Sequence, residues 1–198
     1  SLTGPLCTRC SVLEAYIVET YRIHEGASLY YLTFTVQAWL PVFVGEAPCL
    51  LIADSLNRCH QDKGLCINAY VIMPTHIHLI VFDADFDSRR LSATVTAFRK
   101  FTGRRLADYC AQHRPEASAA VLARHGRSDR ERQFWQQSRH PEAIVSQSMW
   151  QQKLRYLHDN PRRKGLVRQA TYWRFSSAAY WTLGEAASSD VVLSAIEW

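Results

Sequence analysis

The stretch LCINAYVIMPTHIHLIVF, residues 65–82, decides how this chain folds. Leu65 to Met73 and His76 to Phe82 are runs of apolar, β-branched and aromatic residues, and only Pro74-Thr75 separates them. Two such runs joined by so short a turn predict neighbouring antiparallel strands. Side chains alternate along a strand, so His76 and His78 are predicted on one face, while Ile77 and Leu79 face the other and pack under helices.

The flanking sequence builds outward from this hairpin. Upstream, LYYLTFTVQ at residues 29–37 reads as a strand, and Pro41 and Gly45 mark a loop. Leu51, Ile52 and Leu56 then recur at helical spacing between Pro48 and about Gln61, with Gly64 as the stop. Downstream, Ser88 to about Cys110 is predicted helical, with Leu91, Val95, Phe98, Leu106 and Tyr109 on or near one face. His113 to Arg132 is polar and arginine-rich, a loop or short helix, and Gln133 to Val145 is predicted to be a strand around Phe134-Trp135 and Ile144-Val145. Ser146 opens a further helix, expected to end at about Asp159 because the residue before Pro161 avoids helical geometry. This order predicts an α+β fold: a ferredoxin-like split β-α-β with an antiparallel sheet, helices on one face, and an additional C-terminal helix carrying Tyr156. Residues 29–183 are expected to form the domain, with an extension of unassigned role at 1–28 and a C-terminal tail at 184–198.

Composition narrows the function. Of 198 residues, 47% are apolar and 12% aromatic, enough for a substantial core, so disorder is not expected. No apolar run is long enough to span a bilayer and no signal pattern opens the chain, so a cytoplasmic protein with no membrane partner is expected. The net charge of +5 permits nucleic-acid binding without requiring it. From Arg89 to Arg132, eleven basic residues face four acidic ones, a block that either follows a phosphate backbone or is a solvated helix face. Cysteine usage implies free thiols: Cys7-Thr-Arg-Cys10 is a lone CxxC with only Cys59, His60 or Cys66 nearby to complete a zinc site.

The residues able to do chemistry form two short groups. Two histidines at i and i+2 on a strand can reach one divalent ion. Tyr156 and Asn160 stand four residues apart near a helix end, so they project from one face, and an Asn carbonyl is a suitable oxygen ligand for a hard cation. A tyrosine hydroxyl ordinarily ionises near pH ~10 and needs a nearby cation or base to attack at neutral pH. Taken alone, each group also has a plain structural reading, as strand decoration or as a packing tyrosine before a helix stop. His158 lies two positions along the helix from Tyr156 and is expected to face elsewhere.

The segment Tyr70-Val-Ile-Met-Pro-Thr-His-Ile-His-Leu-Ile-Val81, followed by Leu154-Arg-Tyr-Leu-His-Asp-Asn-Pro-Arg-Arg-Lys-Gly-Leu-Val167, resembles the REP-associated tyrosine transposases of the HUH single-tyrosine superfamily. Ala97-Phe-Arg-Lys-Phe-Thr102, Phe134-Trp135 and Trp173-Arg-Phe-Ser-Ser-Ala178 extend the similarity, in order, over residues 29–181. The resemblance implies a catalytic domain using Mg²⁺ or Mn²⁺, with His76, His78 and Asn160 at the metal and Tyr156 as nucleophile. It implies cleavage and strand transfer of single-stranded DNA at hairpins, the repetitive extragenic palindromes, through a 5′-phosphotyrosine bond. The protein would act as a monomer or a homodimer. Residues 1–28 and Cys7/Cys10 have no counterpart in this pattern. Arg99, Lys100, Arg104 and Arg105, with Arg162, Arg163 and Lys164, bracket the site in sequence and are the expected phosphate contacts; Trp135 is a stacking candidate, although a core role suits it better. The competing readings are a replication initiator or relaxase, which usually differs in histidine-tyrosine layout, a catalytically inactive DNA-hairpin-binding protein, and a metal phosphodiesterase with water as nucleophile.

Overall fold

The computed structural model describes residues 28–113, 116, 133–137, 141–184 and 189–197. The N-terminal extension, with Cys7 and Cys10, lies outside the described residues, as does most of the arginine-rich stretch after His113. Strand β1 spans Leu29–Thr35, helix α1 Glu46–Lys63, β2 Leu65–Met73, β3 His76–Asp83, α2 Ser88–His113, β4 Glu142–Ile144, α3 Gln147–Arg163 and α4 Ala178–Leu183. The strands form one antiparallel sheet in the order β2-β3-β1-β4, so β3 is inserted between the first two strands of the chain.

Alternation sorts the sheet into two faces. Tyr30, Leu32 and Phe34 of β1, Ile77, Leu79 and Val81 of β3, and Tyr70 and Ile72 of β2 enter the larger core with Ile52 and Leu56 of α1 and Leu91, Phe98 and Leu106 of α2. Leu29, Tyr31, Ile80, Phe82, Val71 and Met73 enter a second core with Ile144 and Leu157. Helices therefore cover both faces: α1 and α2 share one, as expected, and the additional helix α3 lies on the other. The apolar faces explain why, since strands with two buried faces need a layer on each side.

Helix boundaries follow local chemistry. Gly64 ends α1 at φ 66°, a left-handed conformation that glycine adopts without a Cβ penalty. At Gly103 an added Cβ would meet Trp135 Cδ1 at 3.1 Å, so the small residue lets α2 approach that indole. Ser146 caps α3 as expected, its hydroxyl accepting from the Met149 amide at 3.2 Å. The end of α3 differs from expectation: Pro161 sits inside the helix, which runs on to Arg163. The stop is Gly165 at φ 71°, where Leu166 N–H donates to the Pro161 carbonyl and Gly165 N–H to the Arg162 carbonyl, both at 2.9 Å. This paired closure satisfies the last carbonyls beyond the proline.

Two further expectations change. The strand predicted over Gln133 to Val145 is a bridge at Trp135, opposite Val36, and a separate strand at Glu142–Ile144 on the same edge of β1. Gln37 N–H to the Phe134 carbonyl and Gln136 N–H to the Thr35 carbonyl, each 2.8 Å, fix the first piece where β1 ends. Residues 189–197, read as part of a tail, pack against the body: Val191 is buried, and Ser194 N–H donates to the Ile67 carbonyl at 2.8 Å. No helix among the described residues is long and apolar enough to cross a membrane.

The end of β3 is closed by a buried carboxylate. Asp83 accepts from the backbone N–H groups of Asp85 and Asp87 at 3.0 and 3.1 Å, and from Arg90 Nε and a terminal nitrogen at 2.6 Å each. Burial works against the charged form, yet the Arg90 and backbone donors hold the Asp83 carboxyl below its ordinary range. The stabilisation is present above the unfolded value of about 3.9 and fades as pH falls through the lower folded value. Asp83→Asn should therefore cost on the order of 1–3 kcal/mol near neutrality. Thermal melts against pH should show the wild-type advantage shrinking below about pH 4.

Candidate functional site

His76 and His78 project from β3 on the face covered by α3, as the alternation of β3 requires. Their ring centroids are 4.7 Å apart. The antiparallel register places Thr33 of β1 opposite His78, and Thr33 Oγ1 lies 2.8 Å from His78 Nδ1. Thr75, in the turn before β3, sets its Oγ1 2.9 Å from His76 Nδ1. Each ring is thus held through Nδ1, an arrangement that presents Nε2 as the second nitrogen when Nδ1–H donates to the hydroxyl.

Both rings are neutral at physiological pH. Burial, then the positive charge of Lys164, lowers His76 to about 4. Burial, then His76 and Lys153, lowers His78 to about 3. Lys153 donates to Glu142 at 2.6 Å and lies over the Tyr31 ring at 5.2 Å from its centroid, while that ring stacks on His78 at 5.3 Å. Tyr31 Oη is buried and, among the described residues, has no partner in hydrogen-bonding geometry, Thr33 Oγ1 being engaged with His78. Burial, followed by the neighbouring Tyr156 phenol, pushes Tyr31 well above the ordinary tyrosine range; Thr33, whose hydroxyl is engaged with His78, pulls the other way, and Glu142 adds to the rise.

Helix α3 brings Tyr156 to the same place. Its ring centroid is 6.1 Å from that of His78, it is 44% exposed, and the Arg163 guanidinium sits over it at 5.1 Å. Asn160, one turn on and buried, donates Nδ2 to the Tyr156 carbonyl at 3.0 Å, which turns its Oδ1 into the atom available to a cation. No group of three or more His, Cys, Asp or Glu side chains suited to a metal occurs among the described residues. Two neutral imidazoles and an amide oxygen are donor types that suit a divalent ion.

The expected phosphate contacts divide in space. Arg163 and Lys164 stand at the site, over Tyr156 and close enough to His76 to depress its protonation. Arg162 is tied to Asp159 in a two-point ion pair at 2.5 and 2.9 Å. Lys100, Arg104 and Arg105 are exposed on α2, in the layer across the sheet from the histidines. Arg99 donates to the Gln136 carbonyl and supports the segment containing Trp135. Trp135 is a core residue, stacked on Phe43 and donating Nε1–H to Thr102 at 3.1 Å. His158 bonds Ser177 Oγ at 2.8 Å and points away from Tyr156's surroundings. Sequence reasoning passed over Thr33, Tyr31, Thr75, Trp39 and Lys153, which strand register, helix placement and the turns at Thr75 and Trp39 bring here; the signal for Thr75 is a hydroxyl immediately before His76.

The structure is similar to a solved structure described as a REP-associated tyrosine transposase bound to a REP hairpin. The match has a TM-score of 0.58 and 16% identity, and covers 87% of this chain and 89% of the other. The two chains share a fold. No family model matches the sequence, and no curated protein matches it either.

The tautomer that would present Nε2 to a cation, with Nδ1–H donating to the threonine hydroxyl, can be measured. With divalent ions chelated, long-range ¹⁵N–¹H correlation spectra should show His76 and His78 neutral, with the proton on Nδ1, down to about pH 5. A ring carrying its proton on Nε2 would mean that the threonine hydroxyl donates to Nδ1 instead, and one titrating near the ordinary value of about 6.5 would mean that burial does not hold it neutral.

Proposed function

We propose that this chain is a metal-dependent nuclease and strand transferase that cleaves single-stranded DNA at a hairpin, using Tyr156 as nucleophile. The observation that carries the reading is the convergence, from separate elements, of a neutral histidine pair and an exposed tyrosine 6.1 Å from His78. The fold shared with a transposase bound to a REP hairpin supports the same substrate class.

A divalent cation, Mg²⁺ or Mn²⁺, held by His76, His78 and Asn160, would supply charge stabilisation at the scissile phosphate. Thr33 and Thr75 orient the two rings, so the ligand geometry exists before substrate arrives. Tyr156 Oη attacks phosphorus in line and gives up its proton to solvent; the P–O3′ bond breaks, and the departing 3′ oxygen takes up a proton. The product is a 5′-phosphotyrosine and a free 3′-hydroxyl. In the transfer step the 3′-hydroxyl of another strand attacks the phosphotyrosine, and the phenol leaves with a proton regained. Arg163, over the Tyr156 ring, and Lys164 neutralise phosphates beside the reacting one. Lys100, Arg104 and Arg105 contact a more distant part of the DNA from across the sheet.

Tyr156→Phe keeps the ring and its packing but removes the atom that forms the covalent bond. Cleavage of a single-stranded hairpin substrate should fall on the order of 10⁴-fold or more, and the denaturant-resistant protein-DNA adduct should vanish while binding persists. His76→Ala or His78→Ala should also abolish the adduct, whereas changes at Tyr109, Tyr172 or Tyr180 should leave it. Cutting by Tyr156→Phe at the wild-type rate would assign the attack to water and leave a metal phosphodiesterase. Binding by a wild type that never forms an adduct would leave an inactive hairpin-binding protein.

Replacing Arg163 or Lys164 by Gln should lower the salt dependence of binding by about one unit each and slow cleavage as well. Neutralising Lys100, Arg104 and Arg105 should reduce the salt slope with cleavage of bound DNA unchanged. An unaltered slope in titrations of affinity against salt would make the α2 block a solvated face.

A further inference from the structure

We propose that Trp39 is a stacking platform for the nucleobase next to the phosphate that Tyr156 attacks. The inference rests on the single-stranded-DNA reading above and adds a base-binding subsite to it. Trp39 is 59% exposed, although tryptophan is ordinarily a largely buried residue. Its indole meets His76 edge-on, with ring centroids 6.0 Å apart at 78°, so one edge touches the candidate metal site while much of the ring surface remains in solvent.

The backbone that presents it is strained and tightly held. Ala38 and Trp39 are consecutive non-glycine residues with φ of 52° and 56°, in the left-handed region that side chains disfavour. The turn persists because backbone bonds fix it on several sides. Val36 N–H donates to the Thr75 carbonyl at 2.9 Å and Gln37 N–H to the Phe134 carbonyl at 2.8 Å. Trp39 N–H donates to the Val36 carbonyl at 3.0 Å, and Leu40 N–H to that of Gln37 at 3.2 Å. Through Thr75 the turn is joined to the residue whose hydroxyl holds His76, so indole and ligand are positioned by one local unit. Strain of this kind, maintained by surrounding structure, concentrates where a side chain must be held for use.

The neighbourhood selects the occupant. A flat apolar ring against His76, whose protonation Lys164 depresses, at a site where Arg163 lies over Tyr156, combines a stacking surface with charges for the flanking phosphates, the pairing by which proteins hold unpaired strands. A base in a duplex has its faces covered by neighbouring pairs, so the platform suits an unstacked base at the cleavage point rather than the hairpin stem.

The test measures binding of single-stranded hairpin oligonucleotides in chelator, so that no cleavage intervenes. A series carries one abasic site, moved position by position across the cleavage point. Trp39→Ala should weaken binding of intact DNA roughly 5- to 100-fold with the salt slope unchanged, because a stacked base and no phosphate contact is lost. Trp39→Phe should retain most of the affinity, and melting curves should show both variants folded. One abasic position should weaken wild-type binding by a similar factor and cost Trp39→Ala nothing further, the signature of a coupled pair. Wild-type affinity in Trp39→Ala, or losses that add at every abasic position, would overturn the platform even where wild type binds and forms the tyrosine adduct. Failure of wild type to bind single-stranded DNA at all would instead sink the underlying reading and this one with it.

Discussion

The pairing register of β1 with β3 is the constraint on which everything else in this molecule depends. With Leu32 opposite Leu79 and Thr33 opposite His78, one face of both strands is apolar and closes under α1 and α2. The other face receives the histidines and the hydroxyl that orients one of them. A slip of one residue would exchange the faces, driving two imidazoles into the larger core and turning Ile77 and Leu79 toward α3. The register that buries the hydrophobic set is therefore the register that builds the site. Core formation and ligand orientation do not compete here, and the histidines need no separate device to select their face.

Helix α3 completes the arrangement by being longer than its proline foretells. Because α3 continues through Pro161 to the closure at Gly165, Asn160 keeps helical geometry and stands one turn below Tyr156 on the same face. Had the helix stopped at Asp159, Asn160 would lie in a turn with no fixed relation to the phenol. The hydrogen bond from Asn160 Nδ2 to the Tyr156 carbonyl then decides which amide atom is left for a cation. The cations of the last turn serve the helix and the proposed reaction together: they sit at the negative end of the macrodipole, and Arg163 lies over the Tyr156 ring.

Much of the framework was legible in residues 65–82, because two strongly β-prone runs and a two-residue turn leave little alternative, and strand alternation then fixes which side chains share a face. Helices α1, α2 and α3 were legible from apolar spacing and from Ser146 as a cap. The face that α3 covers followed not from periodicity, which describes one element and not the layer it joins, but from pairing Tyr156 and Asn160 with the histidines. The same limit hid Thr33, Tyr31 and Lys153, which come to His78 through strand pairing and helix docking across more than forty residues of chain. Arg99 shows the converse: its charge is plain in the sequence, but its hydrogen bond to a carbonyl near Trp135 gives it a structural task. The Ala38-Trp39 turn was equally hidden, because its left-handed geometry is imposed by contacts to Thr75 and Phe134 and not by glycine or asparagine in the turn itself.

The distribution of charge around the site bears on how the proposed chemistry would be driven. Burial keeps both imidazoles unprotonated, so they bring no charge of their own to the face where a phosphate would bind. The nearby cations are few and differently engaged: Lys153 is paired with Glu142, and Arg162 with Asp159, whereas Arg163 and Lys164 face Tyr156 and His76. A pentavalent phosphorane spreads negative charge over oxygens that no carboxylate of the described donor set opposes. A cation held by neutral ligands retains its full positive charge, whereas carboxylate ligands would offset part of it. A neutral histidine pair with an amide oxygen is thus suited to stabilising an anion, and the same low-dielectric setting that keeps the rings neutral would strengthen that stabilisation.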